Sequence, residues 1–284
     1  MSNPSGRRVT IKQLTEKKRK GEVITTLGVY DAPMARIADR VGFDMVMNGN
    51  GGPMSILGHT DPVTVRYEEQ LILTQAVARV TKSAMVVSHL PFMTYHESKA
   101  QAIRSAGRMV AEGGAQAVKC EGNVRTAEYI GEIVSAGVPV VGHIGMQASR
   151  RTEQSGYGKK GKTAEAAKEI VEGARAFVDA GVFAFIVEQV PAEVATYLAK
   201  TLPVPVIGVV AGNELDGIYE ISGDLVGYSS FRAPTDKRVF ANVGETIESA
   251  LAEYKDEVQA GKYPPEEHTL RMESDEFKRF LDIV

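Results

Sequence analysis

The stretch Ala84–Phe92, "AMVVSHLPF", contains the pattern from which the fold of this sequence can be predicted. An apolar run leads to Ser88 and His89, and Leu90–Pro91 then ends the extended segment. A short, nearly continuous apolar run is typical of a strand that is buried on both faces, and proline is compatible with the end of such a strand. The pattern therefore predicts a buried strand that ends in an imidazole.

The same pattern recurs along the whole chain, and longer helical patterns separate most of its copies. Two of these separators, "ESKAQAIRSAGRMVAEGGA" and "TAEAAKEIVEGARAFVDAGV", carry apolar residues at helical spacing and end at glycine. Strands that alternate with helices indicate a parallel sheet covered by helices. The eight strand candidates are "VITTLGV" from Val23, "FDMVMN" from Phe43, "AMVVSH" from Ala84, "QAVKCE" from Gln116, "VPVVGH" from Val138, "FAFIVE" from Phe183, "VPVIGV" from Val204 and "DLVGYS" from Asp224.

Eight such strands in a chain of 284 residues favour an α/β fold of the closed (β/α)8 barrel type, the TIM barrel, over an open doubly wound sheet. The dinucleotide fingerprint G-x-G-x-x-G is absent, because "GNGGP" at 49–53 has a different spacing. We predict one barrel domain over 1–284, with a short N-terminal helix and a C-terminal helical tail. The tail, from Tyr254, is expected to pack on the barrel or on a neighbouring subunit.

Composition and charge exclude several classes of protein. The formal net charge of −3 gives no electrostatic reason to expect nucleic acid or an anionic membrane as a partner. The apolar runs are too short to span a bilayer, and the basic segment "MSNPSGRRVTIKQLTEKKRKGE" lacks the apolar core of a signal peptide. The single cysteine, Cys120, excludes an intrachain disulfide and a multi-cysteine metal site. We therefore expect a cytoplasmic enzyme.

Polar side chains stand at the ends of the predicted strands, which is where the active sites of such barrels lie. One of them alone could cap a helix or satisfy a loop. Together, two imidazoles, two carboxylates and one ammonium group predict an active site at the mouth of the barrel. The candidates are Asn48 and Asn50 after the second strand, His89 after the third, Lys119 and Glu121 on the fourth, His143 on the fifth and Glu188 on the sixth.

These residue types suit the chemistry of a 2-oxo acid. Its carboxylate and ketone oxygens can chelate a hard cation, and a metal ion and an ammonium group can stabilise the negative charge of its enolate. A carboxylate across the site can remove the proton next to the carbonyl group.

The sequence resembles the ketopantoate hydroxymethyltransferase (3-methyl-2-oxobutanoate hydroxymethyltransferase) family, whose members are barrels of the pyruvate/phosphoenolpyruvate type. The resemblance covers most of the chain. It rests on "LGHTDPVTV", "LPFMTY", "GGAQAVKCEG", "GVPVVGHIGM", "GYGKKGK", "EQVPAEVA", "VPVIGVVAGNELDG" and "AGKYPPEEH". It implies transfer of a hydroxymethyl group to a 2-oxo acid with methylenetetrahydrofolate as the one-carbon donor, and a homo-oligomer.

The resemblance also implies roles for individual residues. Glu121 in "VKCEG" is at the position of a magnesium-ligating Glu, and Glu188 in "IVEQVP" is at the position of the base that deprotonates C3 of the substrate. Lys119 and His143 are at positions that contact the 2-oxo acid. Asn50 and Gly51 are aligned with a substrate-site motif and are expected to contact the substrate as well.

Two departures from the family affect the metal site. The family motif Gly-Asp-Ser has become "GNG", with Asn50 at the Asp and Gly51 at the Ser, and the motif Asp-Leu-Pro-Phe has become "HLPF", with His89 at the Asp. Both lost carboxylates belong to the metal site of the family. "DGIYEIS" also lacks the usual Gln after Asp-Gly.

These departures leave two interpretations of the metal site open. Glu121, His89 and Asn50 could hold a cation other than magnesium, such as Zn, Mn, Fe, Co or Ni, because imidazole is a poor replacement for a magnesium ligand. Alternatively the site works without a metal, and His89 is a hydrogen-bonding or acid/base group whose protonated form balances the charge of the substrate.

Three functions are compatible with the sequence. The first is hydroxymethyl transfer to a 2-oxo acid. The second is a lyase, decarboxylase or hydrolase reaction on a related 2-oxo or β-keto acid. The third is a non-catalytic binding protein, which the presence of both Glu121 and Glu188 argues against.

Overall fold

Eight parallel strands close into a barrel in the computed structural model of the chain, which describes residues 8–229 and 238–284. Each strand pairs with the next along the chain, and β8 pairs with β1 to complete the ring. The (β/α)8 fold that the sequence predicts is thereby confirmed. The strands are β1 (Ile24–Gly28), β2 (Met45–Asn48), β3 (Met85–His89), β4 (Ala117–Glu121), β5 (Val140–Gly145), β6 (Ala184–Glu188), β7 (Val206–Val209) and β8 (Gly217–Ile221).

Helices cover most of the outer face of the barrel. The connection from β7 to β8, residues 210–216, contains no helix and is the exception to the predicted alternation. The helices are α1 (Ile11–Lys20), α2 (Ala32–Val41), α3 (Gly51–Leu57), α4 (Tyr67–Val80), α5 (Lys99–Ala111), α6 (Ala127–Ser135), α7 (Ala164–Asp179), α8 (Ala192–Thr201), α9 (Ser222–Leu225), α10 (Val243–Gln259) and α11 (Ser274–Ile283).

The starts of the main helices follow from local capping chemistry. Thr10 begins α1 with a capping box that includes Gln13, and Asp31 accepts a hydrogen bond from the Met34 N–H at the start of α2. Ser98 and Thr163 cap α5 and α7 in the same way as Asp31. These caps satisfy N–H groups that have no partner within the helix.

The core has one part inside the barrel and another between the sheet and the helices. Inside, Ile24, Met45 and Ile186 belong to a cluster that also contains Leu14 of α1. The predicted N-terminal helix therefore contributes to the barrel interior. Outside, Phe177 of α7 and Phe185 of β6 stack in the cluster beneath the helices. Both clusters hold the strands, and hence their polar ends, in fixed positions.

The position of the eighth strand was predicted wrongly. The predicted strand is "DLVGYS" from Asp224, but β8 is Gly217–Ile221 and Asp224 lies in the short helix α9. Gly217 and Glu220 interrupt the apolar residues of β8, so the segment lacks the continuous apolar pattern of the other strands. A search for fully buried strands therefore passes over it.

The C-terminal tail forms two helices separated by the turn at Pro264–Pro265, as predicted. Backbone hydrogen bonds from Val243 and Gly244 to Val226 and Gly227 join the start of α10 to the barrel. No residue of α10 or α11 is buried. The described helices of the tail thus bury no side chain against their own barrel, and packing on a neighbouring subunit stays a prediction.

Residues 1–7 and 230–237, which the prediction of one domain over 1–284 includes, lie outside the described residues. The extent of the domain therefore stays a prediction. Within 8–229 and 238–284, no helix combines the length and the apolar composition needed to cross a membrane.

Candidate active site

Parallel pairing brings the polar residues of neighbouring strands to the same end of the barrel. Glu121 at the end of β4 is in register with His143 of β5, and His89 at the end of β3 is in register with Lys119. Glu188 ends β6. Because Lys119 and Glu121 are two residues apart on one strand, their side chains point to the same face.

A cavity of about 480 Å³ opens at this end of the barrel. Six of the residues proposed from the sequence line it, whereas His89 and Asn48 are not among the lining residues. Asn48 is buried, and its amide donates a hydrogen bond of 3.0 Å to Thr74 Oγ1. The cavity has the size of a small-molecule site. The six lining residues are Asn50, Gly51, Lys119, Glu121, His143 and Glu188.

Lys119, His143 and Glu188 form a chain of contacts across the cavity wall. Lys119 Nζ is 2.8 Å from His143 Nδ1, and His143 Nε2 is 3.2 Å from Glu188 Oε2. An ammonium group can only donate, so Nδ1 accepts and the proton of the neutral imidazole is on Nε2. The Nε2 atom has no aligned hydrogen-bond partner among the described residues, although it is buried. It is therefore a donor available to a bound ligand.

The carboxylate of Glu121 is surrounded by donors from the protein. Oε1 accepts a hydrogen bond of 3.0 Å from Asn50 Nδ2 and lies 3.6 Å from Lys119 Nζ, and Oε2 accepts one of 3.0 Å from the backbone N–H of Ser149. Lys119 and Glu121 are both buried. A buried carboxylate is stable when it has such partners, and Glu121 has them on both oxygens.

His89 lies behind the cavity wall. It is fully buried, and its Nε2 atom is 3.5 Å from Ser149 Oγ. Burial, together with the charge of Lys119, lowers the pKa of His89 well below its usual value. Burial thus favours the neutral imidazole, which argues against the hypothesis that protonated His89 balances the charge of the substrate, and that hypothesis stays a prediction.

Three residues of the site were not found from the sequence. Ser149 follows β5 in a short 3-10 helix and acts on Glu121 through its backbone N–H, which no side-chain pattern reveals. Tyr30 and Tyr219 line the cavity, and a Cβ at Gly28 would be 3.1 and 3.0 Å from their hydroxyl oxygens. Burial raises the pKa of both tyrosines, so both keep their hydroxyl protons at pH 7. Tyr219 was missed because β8 had been placed at the wrong segment.

The side chains at this end of the barrel do not fit a magnesium ion. Magnesium takes hard oxygen ligands in an octahedral arrangement. Asn50 turns its amide nitrogen towards Glu121, His89 faces Ser149, and Glu121 is already bonded on both oxygens. Within the part of the chain that the structure describes, no group of three or more His, Cys, Asp or Glu residues could hold a metal ion.

The remaining arrangement is suited to proton removal next to a carbonyl group. Glu188 offers a carboxylate at the cavity, and its side chain is 20% exposed. Lys119 and His143 Nε2 offer positive charge and a hydrogen-bond donor beside it. Such donors stabilise the oxygen of a developing enolate.

Comparison with solved structures finds the same barrel fold in other proteins. A phosphonopyruvate hydrolase solved in complex with oxalate and Mg²⁺ covers 96% of this chain and 95% of its own, with a TM-score of 0.60 and 13% identity. A 2,3-dimethylmalate lyase of the PEP mutase/isocitrate lyase superfamily covers 96% of this chain and 98% of its own, with a TM-score of 0.58 and 16% identity. At these identities the likeness shows the fold, and the bound Mg²⁺ belongs to that hydrolase.

Sequence comparison gives the family. A 3-methyl-2-oxobutanoate hydroxymethyltransferase of Moorella thermoacetica is 39% identical over 264 residues, which are 93% of this chain and 98% of the relative. One from Dehalococcoides mccartyi is 38% identical over 257 residues, 90% of this chain and 92% of the relative. The sequence model of ketopantoate hydroxymethyltransferase matches residues 8–266. The chain therefore belongs to the ketopantoate hydroxymethyltransferase family.

Proposed function

We propose that this chain is an enzyme that converts a 2-oxo acid into its enolate and transfers a hydroxymethyl group to the enolate carbon. The relatives are named for 3-methyl-2-oxobutanoate, which we take as the first substrate to test. Methylenetetrahydrofolate is the proposed one-carbon donor. The proposal rests on one observation: on the wall of a single cavity, His143 contacts Lys119 through one ring nitrogen and Glu188 through the other.

In the proposed reaction Glu188 removes the proton from C3 of the 2-oxo acid. The Lys119 ammonium and the Nε2–H of His143 bind the oxygen atoms on which the negative charge of the enolate develops. Tyr30 and Tyr219 line the same cavity and would contact the substrate as neutral hydroxyl donors. Water supplies the hydroxyl oxygen: it adds to the methylene carbon of methylenetetrahydrofolate, both C–N bonds of that carbon break, and tetrahydrofolate leaves with the two protons of the water on its nitrogens. C3 then forms the new C–C bond to the released formaldehyde carbon, and the resulting alkoxide takes the proton that Glu188 removed.

We propose that the partners are small molecules and further copies of this chain, in the cytoplasm. The exposed helices α10 and α11 support a homo-oligomer, since an apolar row on an exposed helix is typical of a surface that is covered in an assembly. Neither nucleic acid nor a membrane is a proposed partner.

The test uses methylenetetrahydrofolate that carries ¹³C in the methylene group, with 3-methyl-2-oxobutanoate as acceptor. Carbon NMR is expected to detect a labelled hydroxymethyl product that depends on both substrates and is lost in Glu188→Gln. Exchange of the C3 proton without any labelled product, combined with cleavage of a hydroxylated or β-keto acid, would instead support the lyase or hydrolase alternative. Absence of both reactions would support a binding protein.

A further inference from the structure

The carboxylate of Glu121 is the one acidic group at the position where the family binds its metal ion, and protein groups already compensate its charge. The Lys119 ammonium is 3.6 Å from Oε1, and hydrogen bonds of 3.0 Å reach Oε1 from Asn50 and Oε2 from Ser149. A metal ion on either oxygen would have to share this single carboxylate with these donors and with the ammonium group.

The two residues that replace the family carboxylates serve other purposes in this structure. The Nδ2 atom of Asn50 donates to Glu121 Oε1 and, at 3.2 Å, to Ser149 Oγ, so its two N–H groups bridge the wall of the site. His89 is fully buried, does not line the cavity, and approaches the same Ser149 hydroxyl. Ser149 thus links Asn50, beside Glu121 on the cavity, to His89 behind the cavity wall.

Charge balance leads to the same result. By resemblance, the family places three carboxylates against one divalent ion and one lysine, which together are neutral. Lys119 and Glu121 alone are also neutral. A divalent ion added to this buried pair would leave a local net charge of two. The Glu188 carboxylate on the same cavity lies against His143 Nε2 and not beside Glu121, and burying charge that is only partly compensated is unfavourable.

We infer that the Glu121 position does not hold a divalent cation, and that the Lys119 ammonium, fixed between Glu121 and His143, is the resident positive charge of the site. Lys119 lines the cavity, so its charge also faces any ligand bound there. The role of that charge towards a 2-oxo acid rests on the proposed function, whereas the absence of a cation site does not.

The test is a titration of the purified, untagged chain with Mn²⁺, followed by the loss of the signal of free Mn²⁺ in electron paramagnetic resonance. Equilibrium dialysis with Zn²⁺ is the second probe, because imidazole favours zinc over magnesium-like ions. The comparison variant is Asn50→Asp/His89→Asp, which restores both family carboxylates. No substrate is present, so the result does not depend on whether the proposed reaction occurs.

The wild type is expected to bind neither ion stoichiometrically at concentrations up to about 1 mM. The double variant is expected to bind about one Mn²⁺ per chain, with a dissociation constant at least tenfold below that of the wild type. One equivalent of Mn²⁺ or Zn²⁺ on the wild type that is lost in Glu121→Gln would overturn the inference. If the double variant is folded by circular dichroism and binds no Mn²⁺, the replacements at Asn50 and His89 are not the reason why the wild type holds no cation, which would contradict the inference.

Discussion

The Nζ atom of Lys119 lies 2.8 Å from Nδ1 of His143, and this contact determines which ring nitrogen carries the proton. Since Lys119 donates to Nδ1, the hydrogen of His143 is on Nε2, beside Glu188. The same ammonium group is 3.6 Å from the buried Glu121. Lys119 therefore contacts both His143, which would orient the substrate, and Glu121, whose buried negative charge would otherwise have no counter-charge.

Removal of the Lys119 ammonium should destabilise the fold. In Lys119→Met, Glu121 stays buried without its counter-charge, and the free energy of unfolding is expected to fall by about 3–5 kcal/mol. Urea denaturation measures the change. The control is the double variant Lys119→Met/Glu121→Gln. Its decrease in the free energy of unfolding should be smaller than the sum of the decreases in the two single variants by about 1 kcal/mol or more. Strictly additive losses would mean that the two side chains do not interact.

Gly51 should not tolerate the serine that the family has at this position. A Cβ at Gly51 would be 2.5 Å from the Tyr30 hydroxyl oxygen, so Gly51→Ser must displace the Tyr30 ring. We expect a loss of stability of about 1–3 kcal/mol and weaker substrate binding, measured by urea denaturation and calorimetry.

The matched variant for this prediction is Gly51→Ser/Tyr30→Phe. It removes the hydroxyl oxygen that clashes and should recover most of the lost stability. If Gly51→Ser is as stable as the wild type, the Tyr30 hydroxyl does not lie against Gly51.

Stability should decrease in mildly acidic solution because His89 is buried in its neutral form. Burial lowers the pKa of His89 below 6.5, so the unfolded chain takes up this proton at a higher pH than the folded chain does. The contribution of neutral His89 to the free energy of unfolding is complete above about pH 6.5. It is lost as the pH falls below that value, by up to about 1.4 kcal/mol per pH unit. His96, whose pKa burial also lowers, acts in the same direction.

The measurement is the free energy of unfolding at a series of pH values on both sides of neutrality. His89→Gln should flatten the acid slope, whereas His268→Gln, at an exposed position, should leave it unchanged. Equal slopes for the wild type and His89→Gln would show that His89 is not held neutral.

The C-terminal tail should be part of a subunit interface. Val243, Ile247, Leu251, Tyr254 and Val258 recur at helical spacing along α10, and all are exposed. Leu251→Glu is expected to shift the protein towards smaller species in size-exclusion chromatography with light scattering, while Lys255→Glu, also on α10, serves as a charge control. A monomeric wild type would contradict the oligomer.

The barrel and most of its site residues were predictable because they depend on strand ends. A continuous apolar strand that ends in a polar residue marks both the sheet and the mouth of the barrel, and this placed Lys119, Glu121, His143 and Glu188 together. The eighth strand lacks that pattern. Tyr219 lies on this strand, so the sequence pattern does not identify it as a site residue.

Other features depend on contacts between distant segments. Ser149 bonds to Glu121 through a backbone N–H, and the side chain of Asn50 turns towards the same carboxylate. His89 was correctly placed at the end of its strand, but the sequence does not reveal that its ring packs behind the cavity wall. Whether a strand-end residue faces the cavity or its supporting layer is decided by packing, which a linear pattern does not contain.

The central claim is that Glu188 removes the C3 proton of a 2-oxo acid, and exchange of that proton in heavy water tests it without requiring the folate substrate. Proton NMR of 3-methyl-2-oxobutanoate measures the rate. The wild type should catalyse exchange, and Glu188→Gln should slow it by about 10²–10⁴-fold. The variant should remain as stable as the wild type because the side chain is partly exposed. Glu193→Gln, at an exposed position on α8, should exchange at the wild-type rate. Equal exchange rates for the wild type and Glu188→Gln, or no exchange by the wild type, would contradict the account.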